Sequence, residues 1–286
     1  MEEYKEEFII NNSNGKPILC DIRFPKHYST TTEKIPIIIF SHGFKGFKDF
    51  GCFNLIASEI AKTGYVFLKF NFSMNGTTPD YPDTFFDLEA FAENTFSQEL
   101  NDLGDVIDFV NSSTCIEKYP IDNKEIYLMG HSMGGGISIL KANEDARIKK
   151  IITLASIFEF GKFWNTEMLN KWEKEGIRYE FNSRTKQDMP LKYIIYEDFI
   201  THIDRLNIPN AVKNIHIPFC LIHGDKDETV PVLVVDAFKK VNQHIDIHII
   251  KDANHTFGMT QPWNENVLPI ACSELVAKIL VFIASN

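Results

Sequence analysis

The sequence predicts an α/β protein whose core is a mostly parallel sheet covered by helices on both faces. Three observations carry this. Several short runs, such as Ile35-Pro36-Ile37-Ile38-Ile39-Phe40, are apolar almost throughout instead of alternating, as strands buried on both faces are. Helical patterns separate these runs, the order that builds parallel βαβ units. The composition, 44% hydrophobic and 24% charged over 286 residues, is that of a globular protein and excludes a disordered, collagenous or low-complexity chain.

The elements follow in order. Glu7 to Ile10 and Lys16 to Phe24 alternate around the turn-rich Asn11-Asn12-Ser13-Asn14-Gly15, which predicts an antiparallel hairpin. The apolar runs then come at 35–40, 65–70, 125–129, 150–154, 218–222 and 246–250. Helical patterns fall at 53–62, 96–110, 133–143 and 232–241, with a last one at about 265–283. Between Leu154 and Pro218 the spacing doubles. That stretch carries Phe158, Phe160, Phe163, Trp164, Trp172, Tyr179, Phe181, Tyr193, Tyr196 and Phe199 among many charges. A structureless loop of that length is improbable in a compact domain, so the reading expects a small cap or lid with short helices, assigned to residues 157–214.

Charge and cysteine usage exclude several classes. Lys and Arg number 29 against 39 Asp and Glu, a net charge of −10, which opposes sequence-independent attraction to nucleic acid or anionic lipid. The opening Met1-Glu2-Glu3-Tyr4-Lys5-Glu6-Glu7 is acidic where a secretory signal is basic. No apolar stretch approaches the roughly 20 residues that span a bilayer. Cys20, Cys52, Cys115, Cys220 and Cys272 are odd in number, widely spaced and without C-x-x-C, so neither a disulfide framework nor a zinc site is expected. A cytoplasmic protein with no cofactor and no metal fits these features. A small molecule is the expected partner, and the residues leave the oligomeric state open, homodimer included.

The chemistry centres on Gly130-His131-Ser132-Met133-Gly134. It fits the G-x-S-x-G nucleophile elbow and lies where that motif must, after an apolar run and before a helical pattern. The elbow holds the serine on a strained strand-to-helix turn, and glycines two residues before and after relieve the crowding. A serine hydroxyl is a weak nucleophile, so a base and a group that orients the base are needed. In this order of elements they follow as Asp or Glu, then His. The segment His223-Gly224-Asp225-Lys226-Asp227-Glu228-Thr229-Val230-Pro231 follows one apolar run, and Asp252-Ala253-Asn254-His255-Thr256-Phe257 follows the next. Spacing leaves both Asp225 and Asp227 open. Asp225 follows the strand so closely that bracing the loop through side-chain-to-backbone bonds is the role expected of it, and the reading favours Asp227. His255 lies in a turn-rich loop, unlike His244 near a helix end and His248 within a strand. The oxyanion donors expected by position are the backbone N–H groups of Met133 and of Phe44 in Ser41-His42-Gly43-Phe44. His42 and His131 are read as loop braces, and Phe44, Phe47 and Phe72 as candidates for the mouth of an apolar pocket.

Taken together, these four segments resemble the α/β-hydrolase superfamily, and within it the branch of cinnamoyl (feruloyl) esterases and serine aminopeptidase-like hydrolases. The likeness runs from about Ile35 to the C-terminus and rests on the motifs occurring in order. It implies Ser132, Asp227 and His255 as a catalytic triad, an eight-stranded mostly parallel sheet, and a lid inserted after the sixth strand. Two features qualify it. Asn71-Phe72-Ser73-Met74-Asn75-Gly76 stands where many relatives carry D-x-x-G-x-G-x-S, and serine in place of aspartate at the elbow argues against dehalogenase and epoxide hydrolase chemistry. The resemblance implies a serine esterase acting on small acyl or aromatic, cinnamoyl-type esters. The alternatives are an aminopeptidase or amidase, with Glu159, Glu167, Glu173 and Glu175 available to hold an α-amino group, and a non-catalytic binding protein of the same fold. Because Ser132, Asp227 and His255 straddle the insert, the expectation is one domain over residues 1–286.

Overall fold

The computed structural model describes residues 2–162 and 164–285; Phe163 of the aromatic insert lies outside them, as do Met1 and Asn286. The chain opens with an antiparallel hairpin, β1 (Glu3–Asn11) and β2 (Pro17–Pro25). Its turn is organised by Asn12, whose Oδ1 accepts from the N–H groups of Asn14 at 3.0 Å and Lys16 at 2.8 Å, while Gly15 takes the left-handed conformation at φ 75°. Strands and helices then alternate through β3 (Ile35–Ser41), α1 (Phe53–Ala61), β4 (Val66–Asn71), α2 (Leu88–Glu93), α3 (Phe96–Val110), α4 (Ser113–Lys118), β5 (Ile121–His131), α5 (Met133–Glu144) and β6 (Ile148–Leu154).

The main sheet has eight strands in the order β1-β2-β4-β3-β5-β6-β9-β10, with β9 at Phe219–Gly224 and β10 at Asp246–Ile250. Pairings are antiparallel among β1, β2 and β4 and parallel from β4 onward. Ile37, Ile38, Ile39 and Phe40 are wholly buried, because helices cover both sides of this central strand. Each such side chain contributes about 1.5–3 kcal/mol through burial. The helices α9 (Val234–Val241) and α10 (Ile270–Ala284) complete the framework. The last helix starts five residues later than its apolar pattern predicts, with Pro269 as its N-cap; proline cannot donate a helix-interior hydrogen bond.

The segment between β6 and β9 holds more than the short helices expected of it. Helix α6 (Thr166–Glu175) is followed by a two-stranded antiparallel ribbon, β7 (Ile177–Asn182) and β8 (Gln187–Lys192), then by α7 (Ile194–Thr201) and α8 (Ile208–Asn214). It has its own buried centre. Trp172 donates its indole N–H to the Leu191 carbonyl at 2.8 Å and lies under the Arg178 guanidinium at 4.8 Å. The Asn165 side chain caps α6 through the Met168 N–H at 2.9 Å, and Gly176, at φ 72°, ends it. Lys192 ties β8 to Glu89 and Glu93 of α2, and Arg205 ties the segment to Glu144 of α5.

Candidate active site

The site is built where the parallel strands end. Ser132 follows β5 directly and precedes α5, with φ 55° and ψ −118°. This conformation costs a non-glycine residue energy and persists because its surroundings hold it. The Ser132 N–H donates to the Leu154 carbonyl at 2.8 Å, and the neighbouring glycines permit an approach that no Cβ would allow. A Cβ at Gly130 would lie 2.2 Å from the Gly134 carbonyl oxygen, and one at Gly134 would lie 2.3 Å from that of Ser41. The elbow's glycines are therefore a steric requirement.

Asp227 and His255 come from the loops after β9 and β10. The His255 Nδ1–H donates to Asp227 Oδ2 at 2.8 Å, which leaves Nε2 as the ring's free nitrogen. Asp227 also organises its own loop, accepting at Oδ1 from the N–H groups of Thr229 at 2.9 Å and Val230 at 2.8 Å. That corrects the role expected of Asp225, whose Oδ1 is buried with no hydrogen-bond partner among the described residues; Asp227, two residues further on, reaches the loop amides that Asp225 does not. Burial pushes the Asp227 carboxyl up, but hydrogen bonds from the neighbouring His223 and His255 and from the Val230 N–H together hold it well below the usual carboxylate range. His223 is a neighbour whose part the sequence did not disclose. Wholly buried, it donates through Nε2 to the Val230 carbonyl at 2.8 Å and stands 3.3 Å from Asp227 Oδ2.

Ser132 and His255 line the same cavity, but among the described residues the Ser132 hydroxyl makes no hydrogen bond to the imidazole. Catalytic hydrogen bonds in ligand-free sites are often long and tighten only with substrate. Phe44 and Met133 also line it, and neither backbone N–H has an acceptor within the described chain. His42 and His131 are the braces expected. His42 donates through Nδ1 to the Gly43 carbonyl at 2.9 Å and accepts at Nε2 from the Phe72 N–H and Asn75 Nδ2, while His131 donates to the His255 carbonyl at 2.9 Å. Burial lowers their pKa values to about 4 and about 3, so both imidazoles are neutral near pH 7. The divergent 71–76 segment thus supports the loop bearing Phe44 through Asn75, which also donates to the Gly46 carbonyl.

The main cavity measures about 430 Å³ and is walled by Phe44, Phe96, Phe160, Trp164 and Phe181. A smaller cleft of about 50 Å³ shares Ser132, His255, Phe44, Lys45 and Arg184 with it. The expectation that Phe47 and Phe72 stand at the mouth is wrong. They are 2% and 1% exposed and pack in the core, because the 42–50 and 71–76 loops turn them inward against Phe85 and Phe70. Of the four glutamates named for an α-amino group, Glu159 lines the cavity while Glu167, Glu173 and Glu175 are exposed on α6. Elsewhere among the described residues one group of side chains could hold a metal: Cys220, Asp246 and His248, with ligand atoms within 4.8 Å of one another. They sit toward the starts of β9 and β10, away from the strand ends that carry Asp227 and His255.

The BD-FAE family model matches residues 20–241. The chain belongs to the BD-FAE family of α/β hydrolases. Structures resembling this BD-FAE member include Est1E from Butyrivibrio proteoclasticus, at 19% identity and a TM-score of 0.66 over 98% of this chain and 99% of that one. Another structure of Est1E holds bound ferulic acid, at 20% identity and a TM-score of 0.67 over 97% and 100% of the two chains. A putative dipeptidyl aminopeptidase IV from Bacteroides ovatus aligns at 15% identity and a TM-score of 0.67 over 99% of this chain but 36% of that one. At these identities the likeness shows the α/β-hydrolase fold, as the sequence motifs implied. No curated protein matches the chain. No helix among the described residues is long and apolar enough to cross a membrane.

Proposed function

We propose that this BD-FAE member is a serine hydrolase that cleaves carboxylic esters through an acyl-enzyme intermediate. The observation that carries the reading is the 2.8 Å bond from His255 Nδ1–H to Asp227, which turns the free Nε2 of an imidazole in the Ser132 cavity into the available base. Ser132 Oγ attacks the ester carbonyl carbon as its proton passes to His255 Nε2, and the Asp227 carboxylate stabilises the imidazolium. The N–H groups of Phe44 and Met133 hold the tetrahedral oxyanion. Collapse expels the alcohol, which takes its proton from His255. Water activated by the same imidazole then attacks the acyl-enzyme and releases the acid.

The aromatic wall of the 430 Å³ cavity supports a small acyl or aromatic, cinnamoyl-type group as the acid portion. On this reading residues 157–214 act as a lid on a single 286-residue unit. The aminopeptidase or amidase alternative draws on Glu159, the one member of its glutamate set at the cavity wall. A panel of p-nitrophenyl acetate, methyl cinnamate, methyl ferulate and aminoacyl anilides separates the two. Ester turnover with little or no anilide cleavage is expected; anilide cleavage without ester cleavage would overturn the esterase reading.

A further inference from the structure

The chain has a net charge of −10, yet the cavity walls have the opposite balance: Lys45, Lys162, Arg178 and Arg184 against Glu159 and Glu180. Glu180 is already engaged, bonded to Arg178 and 3.6 Å from Lys45. Arg184 is different. It stands in the turn between β7 and β8, reaches across to the loop that carries Phe44, and lines both the main cavity and the smaller cleft where they meet at Ser132. Its guanidinium lies 4.7 Å from the Phe50 ring centre, and Nη2 donates to the Lys45 carbonyl at 3.0 Å.

These contacts hold the fork in place without neutralising it. Among the described residues no carboxylate pairs with Arg184, and desolvation lowers its pKa with no acidic group raising it. A guanidinium has five N–H donors, and the Lys45 carbonyl accounts for one contact. Arg184 is an exposed residue of the turn, but its fork, held against the Phe50 ring and the Lys45 carbonyl, is the group best suited to a carboxylate, which it can grip with two parallel hydrogen bonds.

We propose that Arg184 is a specificity-determining residue for esters that bear a carboxylate near the scissile bond. The carboxylate belongs to the substrate's smaller portion, because the cleft of about 50 Å³ beside Ser132 admits only a few atoms while the aromatic cavity takes the larger portion. The proposal rests on the ester-hydrolase reading, from which it inherits Ser132 as the reacting residue. It also explains how an acidic protein can receive an acidic substrate: the local cation outweighs a surface charge that salt screens within about 8–10 Å.

The test compares the carboxymethyl ester of cinnamic acid with its uncharged carbamoylmethyl isostere, using p-nitrophenyl acetate turnover to establish hydrolysis independently. For the wild type, kcat/KM should favour the charged ester. In Arg184→Ala the ratio of the two kcat/KM values should fall by about tenfold to a hundredfold, the range for a lost charged hydrogen bond, mainly through KM. Arg184→Lys should recover part of it. Labelling of Ser132 by a fluorophosphonate verifies that each variant keeps its site. Equal losses for both esters would make Arg184 a general stabiliser of the site and overturn the proposal. So would a wild type that hydrolyses p-nitrophenyl acetate without preferring the charged ester, or that cleaves neither cinnamate. Failure to hydrolyse p-nitrophenyl acetate or any other ester would instead remove the hydrolase reading beneath it.

Discussion

The geometry around Ser132, Asp227 and His255 depends on neighbours that take no part in the proposed chemistry. Gly134 is one: a methyl group there would meet the Ser41 carbonyl oxygen at 2.3 Å, so β3 and α5 could not both keep their places. Gly134→Ala should cost about 3 kcal/mol or more through overpacking, lowering Tm by about 6 °C or more and removing reactivity at Ser132; an unchanged melting curve would refute the steric account. Asp227 separates two roles, because Oδ1 holds the loop amides while Oδ2 receives His255. Asparagine can keep the first contact but cannot stabilise an imidazolium. Asp227→Asn should therefore stay folded and lose about 10³–10⁴-fold in kcat, read by steady-state kinetics beside a melting curve. The turn at Ser132 and the pairing of Asp227 with His255 were legible in the sequence because an elbow's crowding demands glycines at fixed spacing and the proposed base and its partner would follow in order. Arg184 and His223 were not, since their significance arises from loops that meet only in three dimensions. For the same reason an apolar residue type could not tell that Phe47 and Phe72 face the core.

Among the elements, α3 carries an unusual load. Its Glu99 is 2% exposed and accepts from Asn94 at 2.7 Å, while its other oxygen has no partner among the described residues. Burial, reinforced by the nearby Asp102 charge and opposed by the Asn94 bond, pushes its pKa up to about 8. The folded chain therefore keeps a proton that the unfolded chain releases from about pH 4.3 upward, and this group's contribution to stability declines as pH rises from there to about 8. Glu99→Gln should raise Tm by at least about 4 °C more at pH 9 than at pH 4; an equal shift at both pH values would rule out the titration. The inserted elements show where sequence reading loses resolution. Ile177-Arg178-Tyr179-Glu180-Phe181-Asn182 alternates with the period of a strand, but among so many aromatic and charged neighbours only its pairing with β8 distinguishes a ribbon from a loop. The central strands, apolar on both faces, leave no such choice.

For the whole molecule, the length of the chain is accommodated by a hairpin at one edge of the eight-stranded sheet and by the excursion between β6 and β9. Ser132 precedes that excursion, Asp227 and His255 follow it, and Arg184 belongs to it, so the proposed chemistry and its specificity require both parts together. The net acidity that argued against nucleic acid says little about the substrate, because the charge that matters there is the local one at the cavity wall. The central claim is that Ser132 is a nucleophile activated by His255. It is tested most directly by treating the folded protein with a fluorophosphonate and locating the adduct by mass spectrometry. The account predicts one adduct, on Ser132, absent in Ser132→Ala and strongly reduced in His255→Ala; a folded wild type that takes no label, or labelling that persists without Ser132, would contradict it.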